Sequence, residues 1–223
     1  MVAADYAFGA FGGDEPMSPF ILWLNRLSSL ASTPAVWGIF LTGAVIYLIN
    51  EWRVRFLALV AQYFFVGILF ARIFDTRPEL AVLKIVVGWL ICGAFLISAR
   101  MRERTVKEQG RHWHWSANLP FRMLLLSAMT VVAYLASQRY VLPFVSADLS
   151  VACFALGVLA ILFIGAEEND AVVAGIGVLN LLAALDIFYS SRDPGLLVTG
   201  LMVMVTLLIG LAISYLTVAE VAE

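Results

Sequence analysis

The sequence predicts an all-α, polytopic transmembrane helix bundle of about seven spans, and three observations carry that prediction. Hydrophobic residues make up 62% of the 223 positions and charged residues 13%, whereas soluble domains are roughly half apolar and a quarter charged. The apolar runs extend over about 20 residues, the length that crosses a hydrocarbon core of roughly 30 Å. They are continuous rather than alternating, which excludes barrel strands and leaves helices that satisfy their own backbone in lipid.

Residues 1–16 lack the basic start and apolar centre of a secretory signal and are expected to form an uncleaved, flexible tail. Residues 17–32 read as an amphipathic interfacial helix, capped by Ser18-Pro19, with Phe20, Leu24, Leu27 and Ala31 on one face and Asn25, Arg26 and Ser29 on another. A short, tilted extra span is the alternative, opposed by Arg26 near its middle.

The predicted spans are 34–50, 56–74, 79–100, 119–138, 147–165, 170–190 and 194–217. Thr33-Pro34 and Asp193-Pro194 each place a capping side chain before a proline at the first helical position, and Thr76-Arg77-Pro78 interrupts the chain between the second and third spans. Short turns make these neighbours antiparallel hairpins.

Segments 35–101 and 150–216 align without a gap at an offset of 115, which suggests a parallel 3+1+3 duplication. Residues 33–104 form the first three-helix unit, 105–146 a basic loop and linking span, and 147–223 the second unit. Identity between the units is confined to scattered aliphatic positions and Arg77 with Arg192. Because one span separates them, both units enter the bilayer from the same side, unlike the inverted repeats of many transporters.

Arg53, Arg55, Arg100, Arg102, Arg104, Lys107, Arg111 and Arg122 fall on one side of the predicted bundle, against Arg26, Arg72, Arg77, Arg139 and Arg192 on the other. The positive-inside rule then expects an outer N-terminus and a cytoplasmic C-terminus, in a bacterial inner membrane.

Ionisable groups are costly inside a membrane and are the first functional candidates. Lys84 in the third span and Asp186 in the sixth both lie toward the outer face, where they could pair across the units; the simpler readings are a lysine snorkelling to the outer interface and a helix-end carboxylate in the headgroup layer. Gln62, Asn180, Thr199 and Thr206 are polar positions inside spans, with interhelical hydrogen bonding as their default and an ion path through Asn180 and Thr199 as the functional reading. At the inner side the turn Arg53-Val54-Arg55 aligns with Glu168-Asn169-Asp170, so opposite charges occupy equivalent corners that are expected to meet, within the chain or across a partner. Solvated loop charges are the bland alternative.

Several classes are disfavoured. The net charge of −2 offers no bulk attraction for nucleic acid. His112 and His114 are the only histidines and lie in a loop without a Cys, Asp or Glu cluster, so no metal site is expected; Trp113 and Trp115 beside them read as interface anchors. No span carries a histidine for haem and the last span has no lysine for retinal, so no cofactor is expected. Cys92 and Cys153 lie in apolar runs and read as buried thiols. Without a nucleophile set or phosphate-binding loop, catalysis by this chain is not expected.

The second unit reads Gly175-Ile-Gly-Val-Leu-Asn180-Leu-Leu-Ala-Ala-Leu, a turn ending Arg-Asp-Pro194, then Gly-Leu-Leu-Val-Thr199-Gly-Leu-Met-Val-Met-Val-Thr-Leu-Leu-Ile-Gly-Leu-Ala212. Over about 50 residues it resembles the three-helix K-type subunit of NADH:quinone oxidoreductase and the C-type subunit of multisubunit sodium/proton antiporters. The early Leu-Thr-Gly-Ala and the Lys84-containing helix resemble the E component of membrane-bound hydrogenases. K-type subunits carry proton-path glutamates in their second and third helices, whereas these helices offer Val178, Asn180 and Thr206, with Asp186 the one acid in that stretch. The resemblance implies a non-catalytic subunit of an ion-translocating complex, partnered by lipid and other membrane subunits. A stand-alone transporter or channel, or an assembly subunit of a photosynthetic or respiratory complex, is the alternative.

Overall fold

The computed structural model describes residues 32–49, 51–74, 78–105, 119–140, 142–166, 171–192 and 195–219. These residues form seven α-helices and no strand: α1 (Ser32–Leu48), α2 (Trp52–Ile73), α3 (Pro78–Thr105), α4 (Leu119–Arg139), α5 (Ala147–Ile164), α6 (Ala171–Arg192) and α7 (Leu196–Ala219). Six of them are long and apolar enough to cross a membrane. The seventh, α1, has 17 residues and reaches about 25 Å at 1.5 Å per residue, slightly less than the hydrocarbon core. The chain is an integral membrane protein with an all-helical bundle. The interfacial segment 17–32, the loop with His112 and His114, and the Asp193-Pro194 cap lie outside the described residues.

Several helix ends differ from the sequence expectation. The first helix, α1, already includes Ser32 and Thr33, so Thr33 lies inside the helix rather than capping it and Pro34 is its third residue rather than its first. The Arg53-Val54-Arg55 turn is the first turn of α2. Arg55 is buried, and its Nε donates to the carbonyl of Ile49 over 2.8 Å, supplying a partner just beyond the end of α1 and so closing the short connection. At the end of α3, the helix continues through Arg100, Arg102 and Arg104 to Thr105. Its 28 residues measure about 42 Å, more than the roughly 30 Å of a hydrocarbon core. The final helix, α7, begins at Leu196.

Sequential helices pack as hairpins, α1 on α2 on α3 and α5 on α6 on α7. The two triplets then lie against each other with α1 on α5, α3 on α7 and a lighter approach of α2 to α6. The remaining helix, α4, packs on the outside of α5 and touches α1. One face of the bundle carries the ends of α2, α4 and α6 with the starts of α3, α5 and α7, and is called the first face; the opposite helix ends lie at the second.

Small residues set how closely the triplets approach, as expected where lipid supplies no hydrophobic drive between helices. Gly43 of α1 lies under Leu159 of α5, which would collide with any Cβ there. Gly210 of α7 lies under Ile91 of α3, whose Cγ1 would be 2.8 Å from an added Cβ. Around these contacts sit fully enclosed Phe70, Phe74, Leu156, Leu159, Phe163 and Ile187. Outward-facing residues are equally apolar, including Phe121, Leu124 and Leu135 on α4 and Leu197, Leu201 and Met204 on α7. Such a surface suits lipid and would aggregate in water.

Candidate functional site

Lys84 is the seventh residue of α3, and Asp186 is the seventh from the end of α6, so both lie roughly 9 Å inside the helix ends at the first face. The structure brings them together. Lys84 Nζ donates to Asp186 Oδ2 in a salt bridge that leaves only 8% and 6% of the two side chains exposed. Snorkelling therefore does not describe either residue. Ser190, one turn beyond Asp186, donates to its Oδ1 over 3.3 Å, so both carboxylate oxygens are engaged. The ammonium also lies 5.1 Å from the ring centroid of Phe70 on α2, a favourable cation–π distance.

Either charge alone in this position would be uncompensated in a low-dielectric layer, which is why the pair must form as a unit. Beside it is a cavity of about 30 Å³ whose lining includes Tyr63 and Phe70 of α2, Lys84 and Gly88 of α3, Asp186 of α6 and Thr206 of α7. Four helices thus meet at the pair.

A second polar contact lies at the middle of the bundle. Gln62, halfway along α2, donates from Nε2 to Asn180 Oδ1, near the middle of α6, over 2.9 Å. Gln62 Oε1 and Asn180 Nδ2 are enclosed without a protein partner. Toward the second face, Ser98 of α3 and Ser214 of α7 place their hydroxyl oxygens 2.9 Å apart, and Ser98 also reaches the Ser214 carbonyl at 3.1 Å.

The threonines behave differently from the expected interhelical donors. Thr199 is fully buried, yet its hydroxyl donates to Gly195 O of its own chain segment over 3.0 Å. Thr206 likewise donates to Met202 O over 2.7 Å while lining the cavity. Both use the local back-bond open to threonine in helices, which satisfies the hydroxyl without a neighbour. Thr199 is thus not joined to the ion pair.

Of the charged corners, Arg53 lies over the Trp52 ring at 5.3 Å and Arg55 caps α1, while Glu168 and Asp170 are outside the described residues. Two other cations bind the helices together at the faces. Arg122 of α4 reaches the Tyr47 carbonyl of α1 at 3.3 Å, and Arg72 of α2 meets Asp148 of α5 at 3.4 Å. Among the described residues no three His, Cys, Asp or Glu side chains gather as metal ligands, and Cys92 and Cys153 are buried free thiols.

Sequence reasoning passed over Tyr63, Ser190 and the Ser98–Ser214 contact. Ser190 was accessible to it, since an i, i+4 spacing from Asp186 puts both on one helix face. The other three carry no local signal, because a single Tyr or Ser in an apolar run is unremarkable until its neighbours are known. No family model, curated protein or solved structure matches this chain.

Proposed function

We propose that this chain is a non-catalytic membrane subunit of an ion-translocating, energy-converting complex of the complex I, hydrogenase or multisubunit antiporter kind. In this reading it packs beside antiporter-like subunits in a bacterial inner membrane, N-terminus outside and C-terminus cytoplasmic.

The observation that carries it is the Lys84–Asp186 pair held across α3 and α6. A buried ion pair is a poor device for stability, because well-packed apolar side chains do as well or better without the desolvation cost. In membranes such pairs are characteristic of ion and proton pathways. A separate buried amide contact, Gln62–Asn180, lies on the same two-triplet interface, which gives α6 polar groups at two depths. The exposed apolar faces of α3, α4 and α7 leave broad surfaces for neighbouring subunits or lipid.

Gentle detergent extraction followed by mass spectrometry of co-purifying chains tests the proposal. Large antiporter-like partners are expected, and a homo-oligomer with no other chain would sink it. For the orientation, cysteines placed in 100–111 should resist labelling by an impermeant reagent from outside intact cells; ready labelling reverses the assignment.

A further inference from the structure

The turn ahead of α5 holds a conformation that its sequence resists. Val145 N donates to the Leu142 carbonyl over 3.4 Å across Pro143 and Phe144, with proline in second place and a φ of 68° at Phe144 in third. That is the pattern of a type II turn, whose third position favours glycine because a side chain there crowds the backbone. Among the described residues, Phe144 is the one non-glycine residue with positive φ. Burial does not offset the strain. Leu142 and Val145 pack inward on the core, whereas Phe144 is turned out and 73% exposed.

The exposed ring is met by Arg192, the last residue of α6, whose guanidinium lies over it at 5.8 Å from the centroid. We propose that Phe144 and Arg192 form a binding site for a membrane phospholipid at the first face, the ring packing on the upper acyl chains and the guanidinium holding the phosphate.

Depth, charge and geometry fit this ligand. The 22 residues of α6 measure about 33 Å, close to the roughly 30 Å of a hydrocarbon core, so a spanning α6 brings Arg192 to the headgroups. A guanidinium keeps its N–H donors in its own plane, so one lying over a ring still presents the fork that matches a phosphate. Contact with the ring also restricts the arginine beforehand, which lessens the ordering cost of binding. Asp148 at the start of α5 is engaged by Arg72, and Arg139, exposed at the end of α4, adds a further positive charge at the same face. A strained turn that holds a large apolar ring outward is of no use in water and suits a lipid surface. The site is independent of which complex, if any, the chain joins.

Thermal unfolding in neutral detergent, with and without added phosphatidylglycerol, tests the site. The lipid should raise Tm, and the rise should be smaller by about 2–4 °C in Arg192→Gln and in Phe144→Gly, as loss of one charge-assisted contact predicts for a chain of this size. Equal rises in all three proteins would overturn the proposal. Without lipid, Phe144→Gly should leave Tm unchanged or raised, because glycine relaxes the turn; a lowered Tm would mean that the ring supports the fold itself, and would count against a lipid site. Inorganic phosphate should not reproduce the rise, and equal stabilisation by it would reduce the site to one for a free ion. Independently of stability, a nitroxide on Phe144→Cys in phosphatidylglycerol nanodiscs should collide more with oxygen than with a water-soluble nickel complex, Cys92 and Cys153 being buried away from the label. Preferential collision with the nickel complex would put the residue in water and overturn the proposal.

Discussion

Gln62 Nε2 donates to Asn180 Oδ1 over 2.9 Å at the middle of α2 and α6, and the other half of each amide is enclosed without a protein partner. The contact is the polar link between the two triplets where α2 and α6 approach. Its energetic value follows from what is left behind when one side is removed. Gln62→Leu or Asn180→Leu alone strands the opposite amide and should lower stability by about 1–2 kcal/mol, while the double variant should recover most of the loss. Unfolding in mixed micelles gives the four stabilities of the cycle, and additive single losses would show that the two amides do not interact.

The ion pair should show the same asymmetry more strongly. Lys84→Met or Asp186→Leu leaves one charge in the apolar layer and should cost about 3–5 kcal/mol or prevent folded extraction, whereas the double variant should fold. The exchange Lys84→Asp with Asp186→Lys should also restore assembly lost in each single variant. Monodisperse elution in mild detergent reports the outcome; doubles no better than the singles would mean that the residues act apart.

Close helix approach makes a third prediction. Gly67 of α2 lies directly under the Ile85 side chain of α3, and a Cβ there would overlap it. Gly67→Ala should therefore cost about 1–3 kcal/mol through forced displacement, and Ile85→Ala should relieve part of that cost in the double variant. Gly93→Ala is the control, since nothing lies within 4 Å of its added Cβ, and it should be neutral or slightly stabilising. Equal effects at Gly67 and Gly93 would discount packing as the cause.

The Arg72–Asp148 bridge is the opposite case from Lys84–Asp186. Its side chains are 38% and 45% exposed and its partners 3.4 Å apart at the bundle face. Asp148→Asn should change stability by less than about 1 kcal/mol, and that small effect should fade further at high salt. A loss comparable with that of Asp186→Leu would contradict the difference in burial.

Helix existence was readable because the bilayer imposes it: a run of apolar residues long enough to cross hydrocarbon has to satisfy its own backbone, whatever lies beside it. The seven helices accordingly fall where the apolar runs are, and the departures are at their ends, where Arg55 reaches back to Ile49 and α3 continues to Thr105. Lys84 and Asp186 stood out for a related reason, being charges in segments that almost exclude them. Their pairing, between residues 102 positions apart, depended on more. Gln62 and Asn180 were visible only as separate polar positions, and Thr199 was expected to reach across helices but turns back on its own.

Composition along each segment was enough to specify the membrane, the helices and the inventory of buried polar groups, since transfer into lipid depends on what a segment contains. Which of those groups meet depends on how each helix is rotated and how near its neighbours come. Gly43 beneath Leu159 and Gly210 beneath Ile91 let the triplets close, and their packing seats Lys84 against Asp186 and opens the small cavity beside Tyr63. Those contacts join side chains far apart in the chain, and no local pattern encodes them.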